Sequence, residues 1–326
     1  MRANPNPTTQ AAASADLRAR TAAPGEHSDE TPAALGIGVW LRQIRVHQWS
    51  KNLLLAVPLV TAHELSNWPK VEQALIAILV FSLVASAVYL VNDVLDLAAD
   101  RAHPTKSRRP LAAGRITVRG ACLAAAALTL TGLGASGLLL PTRFTAMLVG
   151  YIGLAMAYSL GLKRQAIVDV VMLAAFYAYR VLIGAAAVSI ECSPWLLAFS
   201  LFFFLSLALL KRFAELQLVA KRGGNSAPRR AYTVDDAPLL MTFGVAASLV
   251  AALVIVLYLQ SDQVVVLYDR PEWLWLACPL VLAWSMRVWL KASRGQMHDD
   301  PVVFALRDKG SYFLAAAVAA LLLMST

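Results

Sequence analysis

Apolar residues in this chain fall in long, nearly uninterrupted runs rather than in the one-sided stripe of a soluble helix or the alternation of a strand. Nine such runs stand out, at Lys51–Leu65, Val71–Val91, Val118–Leu140, Phe144–Leu162, Ala166–Val188, Trp195–Leu210, Pro238–Leu259, Trp273–Leu290 and Tyr312–Met324, separated by short polar breaks. A helix needs about twenty apolar residues to cross the hydrocarbon core of a bilayer. The pattern therefore predicts an all-α polytopic membrane protein with nine transmembrane helices, the first and last being the shortest. Ahead of them, residues 1–37 are rich in Ala, Pro, Thr and charged residues and lack the apolar run of a signal peptide. They read as a disordered tail, which leaves 38–326 as the transmembrane domain.

Composition sharpens this picture. Hydrophobic residues make up 59% and charged residues 15%, whereas about a quarter of the residues of a soluble domain are charged. A formal net charge of +9 does not point to nucleic acid, because the cations are distributed as a membrane topology requires. They concentrate in Asp93–Thr117, Gly161–Gln165, Lys211–Asp236 and Arg287–Gly310, while the alternate connections hold only Lys70, Arg143 and Arg270. Positively charged connections stay in the cytosol, so the N-terminus and all the large connections are expected there. Cys122, Cys192 and Cys278 lie far apart and indicate neither a disulfide framework nor a thiolate metal site.

The second run ends in Asn92-Asp93-Val94-Leu95-Asp96-Leu97-Ala98-Ala99-Asp100, of the form NDxxDxxxD. At helical spacing Asn92, Asp96 and Asp100 share one face as a ladder of oxygen ligands, with Asp93 beside them. Carboxylates this close repel one another and meet the negative end of the helix dipole, so the arrangement calls for a cation. Hard oxygens with no His or Cys among them favour Mg2+, which also binds substrate phosphates. The competing reading is an acidic helix end that is solvated or paired with Arg101, Lys106, Arg108 and Arg109. Ionisable groups this near the hydrocarbon are costly and usually functional. The following loop, broken by Pro104, Pro110 and Gly114, carries cations able to fold back over the acids, and the two together make a diphosphate receptor. His103 reads as a solvated or phosphate-contacting side chain in preference to a metal ligand or base.

Other candidates face the same side. Gln48, Lys51 and Asn52 open the first run beside Trp49, either as an interfacial anchor or with Lys51 reaching a phosphate. Tyr158 and Lys163 flank the connection after the fourth run, and Asp169 and Arg180 are ionisable groups inside the fifth, either site residues or an internal ion pair. Lys211, Arg212 and Glu215 end the sixth. Lys211 and Glu215 share a face there, as an intrahelical salt bridge or as the opposite wall of the pocket. The stretch Lys221–Tyr232 reads as a mobile loop, idle or closing over substrate. Asp299, Asp300 and Arg307-Asp308-Lys309 receive no chemistry.

These strings resemble the UbiA-type membrane prenyltransferase superfamily, in which nine helices surround a central cavity with diphosphate and magnesium at its cytosolic mouth. The resemblance covers nearly everything beyond about Gly38. One departure matters: the family's second aspartate-rich motif is replaced by Lys211-Arg212-Phe213-Ala214-Glu215-Leu216. That string, with Gln48-Trp49-Ser50-Lys51-Asn52 and Ala99-Asp100-Arg101-Ala102-His103-Pro104-Thr105-Lys106, resembles the decaprenyl-phosphate phosphoribosyltransferase branch. The resemblance implies phosphoribosyl pyrophosphate as donor and polyprenyl phosphate as acceptor. It also implies a place in the bacterial inner membrane with the site facing the cytosol, and a product that feeds arabinose-containing glycans. It assigns Asn92, Asp93, Asp96 and Asp100 to the metal, with the three aspartates catalytic. Gln48, Lys51, Asn52, Lys106, Arg109, Tyr158, Lys163, Asp169, Arg180, Lys211, Arg212 and Glu215 are assigned to the substrates, and a homo-oligomer is compatible with it. The alternatives are an aromatic polyprenyltransferase, which would normally carry the second acidic cluster, and an ion-coupled transporter, which would place its charges near the membrane midplane.

Overall fold

A computed structural model describes residues 36–103, 105–226, 231–297, 301–305 and 308–325. The expected tail lies outside the described residues up to position 35. At Ile37 the first helix has begun. Apart from one isolated bridge, Ser226 to Thr233, the regular structure among the described residues is helical. The α-helices are α1 (Ile37–Gln43), α2 (Val57–Thr61), α3 (Trp68–Leu95), α4 (Leu97–Ala102), α5 (Val118–Leu139), α6 (Thr142–Leu160), α7 (Val168–Ala187), α8 (Pro194–Lys221), α9 (Ala237–Leu259), α10 (Asp262–Leu267), α11 (Ala277–Ser293), α12 (Pro301–Ala305) and α13 (Lys309–Ser325).

Among the described residues seven helical segments are long and apolar enough to cross a membrane. These are α3, α5 to α9, and α11 together with the turn that precedes it. Their starts follow from local chemistry. Pro69, Pro194 and Pro238 occupy first-turn positions, where a missing N–H costs nothing. The Thr117 hydroxyl accepts the Gly120 N–H at 3.1 Å as the cap of α5. Large apolar side chains such as Leu123, Leu130 and Leu138 of α5 and Leu249, Leu253 and Leu257 of α9 point outward. An apolar exterior of this extent belongs in lipid.

The first and last expected spans take other forms. Instead of one helix over 51–65, Val46–Ala56 winds as a 3-10 helix and continues into the short α2. Pro58 in the first turn of α2 has no N–H to carry the preceding winding forward. The 3-10 segment lies so close to α7 that a Cβ on Gly184 would stand 2.2 Å from the Leu55 carbonyl oxygen. The last run forms α13, of 17 residues.

Helices α8 and α9 make the most extensive pair, followed by α3 with α5 and α7 with α8. One core cluster joins α7, α8, α9 and α11 around Phe204, Leu210, Phe213 and Trp289. A second joins the 46–61 segment, α3, α6 and α7 around Leu55, Phe81, Phe144 and Leu148. The end of α3, the end of α6 and the start of α7 are thereby held at one face, where the polar residues gather.

Candidate active site

Helix α3 stops at Leu95, and Asp96 takes φ −96° and ψ 5° before α4 begins. The break leaves the register intact, because the Asp96 N–H still reaches the Asn92 carbonyl and the Asp100 N–H the Asp96 carbonyl, each at 2.9 Å. Asn92, Asp96 and Asp100 therefore continue in four-residue steps, as their spacing predicts.

Each acid has a specific partner. Gly161 ends α6, and the single turn Leu162–Arg164 brings Lys163, only 5% exposed, against the ladder. Its Nζ donates to Asn92 Oδ1 at 3.1 Å and to the two carboxylate oxygens of Asp96 at 2.9 and 2.8 Å. Arg109, from the loop after α4, donates one Nη to Asp100 at 2.6 Å and to Asp93 at 3.0 Å. Asp93, 3% exposed, also accepts from Gln43 Nε2 at 3.0 Å and from Arg45. The pairing of acids with loop cations is thus realised at Arg109, and Arg45 and Lys163 add cations from distant segments. Asp93 stands in a separate network with Gln43, Arg45 and Arg109, whereas Asn92 and Asp96 face Lys163.

Among the described residues no three His, Cys, Asp or Glu side chains group as a metal cage. The oxygens of Asn92 and Asp96 nonetheless converge on a single cationic point. A hard cation drawing one amide and one carboxylate from the chain, with water and substrate phosphates as its other ligands, suits magnesium, which seldom takes an all-protein cage.

A second polar cluster closes the start of α7. Asp169, fully buried, accepts from the Tyr158 hydroxyl at 2.7 Å and from two guanidinium nitrogens of Arg212. Arg212 also bonds Glu215 across one helical turn of α8. Helix α8 runs on past the expected end at Leu210, which keeps Lys211, half-buried, and Glu215 on the same helix. The Tyr232 hydroxyl, from the end of the 221–232 stretch, accepts the N–H of Ile167 at 2.8 Å, and Tyr232 is buried. That end of the expected mobile loop is anchored.

Arg180 lies deeper, eleven residues beyond Asp169 along α7, or about 16 Å at 1.5 Å per residue. Its Nε donates to Asn52 Oδ1 at 3.1 Å and one Nη to the Phe176 carbonyl at 2.8 Å. The rings of Phe81, Tyr151 and Tyr177 surround the guanidinium, and the Lys51 ammonium stands over Tyr177 as well. Asn52 passes its own N–H to Ser82 at 2.8 Å. Lys51, Asn52 and Arg180 therefore form an interior group distinct from the ladder, while Gln48 lines a cavity beside Asp93. Lys106 is exposed in the loop. His103 Nδ1 accepts the N–H groups of Thr105 and Lys106 at 3.2 and 3.3 Å, which places its proton on Nε2. Burial, and then the neighbouring Lys106, hold the imidazole below its ordinary pKa.

Gln43 escaped the sequence reading. Its Oε1 accepts the Leu111 N–H at 3.0 Å while its Nε2 holds Asp93, so one buried amide ties the helix before the first span to the loop beyond the second. The hint in the sequence is slight, an amide next to Arg42 at the end of a short and mostly apolar helix.

The UbiA prenyltransferase family matches residues 53–320 of the chain. The y4nM protein of Sinorhizobium fredii is 39% identical over 287 residues, which cover 88% of this chain and 55% of that protein. A decaprenyl-phosphate phosphoribosyltransferase of Mycobacterium tuberculosis is 41% identical over 198 residues, covering 60% of this chain and 65% of that protein. The chain thus spans between half and two thirds of the length of these relatives. A UbiA homolog from Archaeoglobus fulgidus, solved with GPP and Mg2+, is similar in fold, with a TM-score of 0.65 over 87% of this chain and 99% of that one at 17% identity.

Proposed function

Because the chain belongs to the UbiA prenyltransferase family, we propose that it transfers the 5-phosphoribosyl group from phosphoribosyl pyrophosphate to a polyprenyl phosphate, with magnesium, at the cytosolic face of a bacterial inner membrane. The observation that carries this reading is the convergence of the Asn92 and both Asp96 oxygens on the Lys163 ammonium, a cationic position that a hard metal ion could share, with Arg109 on the next carboxylate. The likeness to a phosphoribosyltransferase at 41% identity supports the choice of donor. So does Arg212. It bonds both Asp169 and Glu215, so the place where an allylic-diphosphate enzyme would carry its second acidic motif is occupied by ion pairs.

Asn92 and Asp96 would hold the magnesium, whose charge would stabilise the departing diphosphate, while Asp100 one turn further on holds Arg109. Asp93 is then an anchor that orients Arg45 and Arg109. Lys163, Arg109 and Lys106 bind donor phosphates. The bond from ribose C1 to the diphosphate oxygen breaks as the acceptor's phosphate oxygen bonds to C1, and pyrophosphate leaves. That oxygen is already ionised, so no general base is required. Tyr158, Asp169, Arg212 and Glu215 fix the wall formed by α6, α7 and α8. Arg180 and Asn52 hold the 3-10 segment against α7 beside Lys51, and Lys211 remains a phosphate-binding candidate.

The 46–61 segment and α13 would complete nine passes. Eleven 3-10 residues rise about 22 Å and five α residues about 8 Å, together close to the roughly 30 Å hydrocarbon core. Supply of arabinose-containing glycans is the downstream role this product would have.

The test is transfer of label from phosphoribosyl pyrophosphate into extractable lipid by purified protein with polyprenyl phosphate. Asp96→Ala and chelation of magnesium are each expected to lower the rate at least about a hundredfold, the scale of losing one preorganised electrostatic element. Label that never enters lipid, alongside transfer from a prenyl diphosphate to a phenolic acid, would replace the reading with the aromatic prenyltransferase. Uptake of an ion or solute without any transfer would replace it with a transporter.

A further inference from the structure

Beside Asp93, the end of α1, the start of the 3-10 segment and the loop after α4 line an open cavity of about 290 Å³ whose walls include Arg42, Arg45, His47, Thr105, Arg108 and Arg109. Four guanidinium groups meet there with one carboxylate. Asp93, that carboxylate, is already engaged by Gln43, Arg45 and Arg109. Among the described residues neither Arg42 nor Arg108 has a carboxylate partner. Arg45 holds a left-handed backbone, φ 57° and ψ 46°, which a residue with a Cβ seldom adopts and which persists only where the surroundings impose it. Here the turn brings Arg42 and Arg45 to the same cavity.

Arg45 and Arg109 are partly buried and Arg42 and Arg108 exposed, and like charges drawn to one cavity repel one another unless an anion joins them. Guanidinium forks match the oxygens of phosphate in geometry as well as charge. The volume lies at the lower end of small-molecule sites, which suits a phosphate with part of the group that carries it. Arg109 links the cavity to the ladder, since the same side chain bonds Asp93 and Asp100.

We propose that this cavity is a binding site for a phosphate monoester, separate from the oxygen cradle of Asn92 and Asp96 and coupled to it through Arg109. The proposal rests on reading the ladder as a diphosphate site, and deepens it: a ligand set with one diphosphate and one monoester would fill both. Two sources offer that chemistry, the sugar phosphate of the donor and the phosphate of the lipid acceptor.

The experiment measures binding to the full chain in detergent by calorimetry, with ribose 5-phosphate, with farnesyl phosphate in matched micelles, and with magnesium pyrophosphate. Arg42→Gln and Arg108→Gln are expected to weaken one of the two monoesters about tenfold or more, the scale of a lost charged hydrogen bond, with magnesium pyrophosphate and the melting temperature unchanged. Loss confined to ribose 5-phosphate assigns the cavity to the donor, and loss confined to farnesyl phosphate assigns it to the acceptor. Arg101→Gln removes an exposed cation of the same region that does not line the cavity, and is expected to change neither. Equal weakening by Arg101→Gln, or monoester binding unchanged in both cavity variants, overturns the proposal. The transfer assay separates the two readings. Wild-type transfer with unaltered monoester binding in the variants sinks the cavity alone. Monoester binding lost as expected, in a protein that transfers nothing from phosphoribosyl pyrophosphate, sinks the donor assignment alone.

Discussion

Asp169 and Arg212 show what a single contact contributes here. Both are almost fully buried, and Arg212 is the cationic partner seen for Asp169 among the described ion pairs. Removing one member of such a pair leaves a charge stranded in a medium that cannot solvate it. Arg212→Met is therefore expected to lower stability in detergent by about 3 kcal/mol or more, read from the loss of a cooperative melt. Adding Asp169→Asn should recover part of that loss, and no recovery would mean that Arg212 acts through something other than its pair. The sequence marked Asp169 because an ionisable group within an apolar run is conspicuous, and Arg212 because it belongs to the Lys211-to-Leu216 string that closes the sixth run. It did not pair them, since they are 43 positions apart and spacing along the chain carries no information about contacts between helices. Lys163 with Asp96, 67 positions apart, and Gln43 with Asp93, 50 apart, were beyond reach for the same reason. The ladder was legible because four-residue spacing is local geometry.

The helices themselves were largely readable, since a run of twenty apolar residues has few other stable arrangements in lipid. The 46–56 segment was not. Hydropathy reports that a stretch is apolar, whereas the tighter winding comes from tertiary approach to α7. At Gly184 the backbone of Leu55 stands where a side chain would begin, and the Arg180 to Asn52 bond fixes the same pair of elements. Gly184→Ala is expected to force the two apart at a cost of about 1–3 kcal/mol, the usual range for overpacking, seen as a lower melting temperature. Because Lys51 and Asn52 ride on the displaced segment, transfer activity should fall along with stability. A variant as stable and active as the wild type would show that the segment can shift without consequence.

The 28 residues of α3 span about 42 Å, more than the roughly 30 Å of hydrocarbon. One end of the helix must therefore emerge into the headgroup layer, and the acids stand at the C-terminal end. There a water-soluble donor can arrive from one side while a lipid acceptor stays in the membrane. For a single crossing the turn before α3 and the loop after α4 lie on opposite sides, and the proposed orientation, drawn from the positive-inside bias, puts the loop in the cytosol. This can be checked in a background with Cys122, Cys192 and Cys278 replaced by serine. Single cysteines would be placed at Leu65 and Arg115, both exposed, and probed with a membrane-impermeant maleimide. In intact spheroplasts Leu65→Cys should label and Arg115→Cys should not, and inverted vesicles should reverse the pattern. Labelling of both from one side would mean that α3 does not cross. Labelling of Arg115→Cys in spheroplasts would put the acids outside, where a cytosolic sugar diphosphate never reaches them, and the proposed reaction would lose its donor.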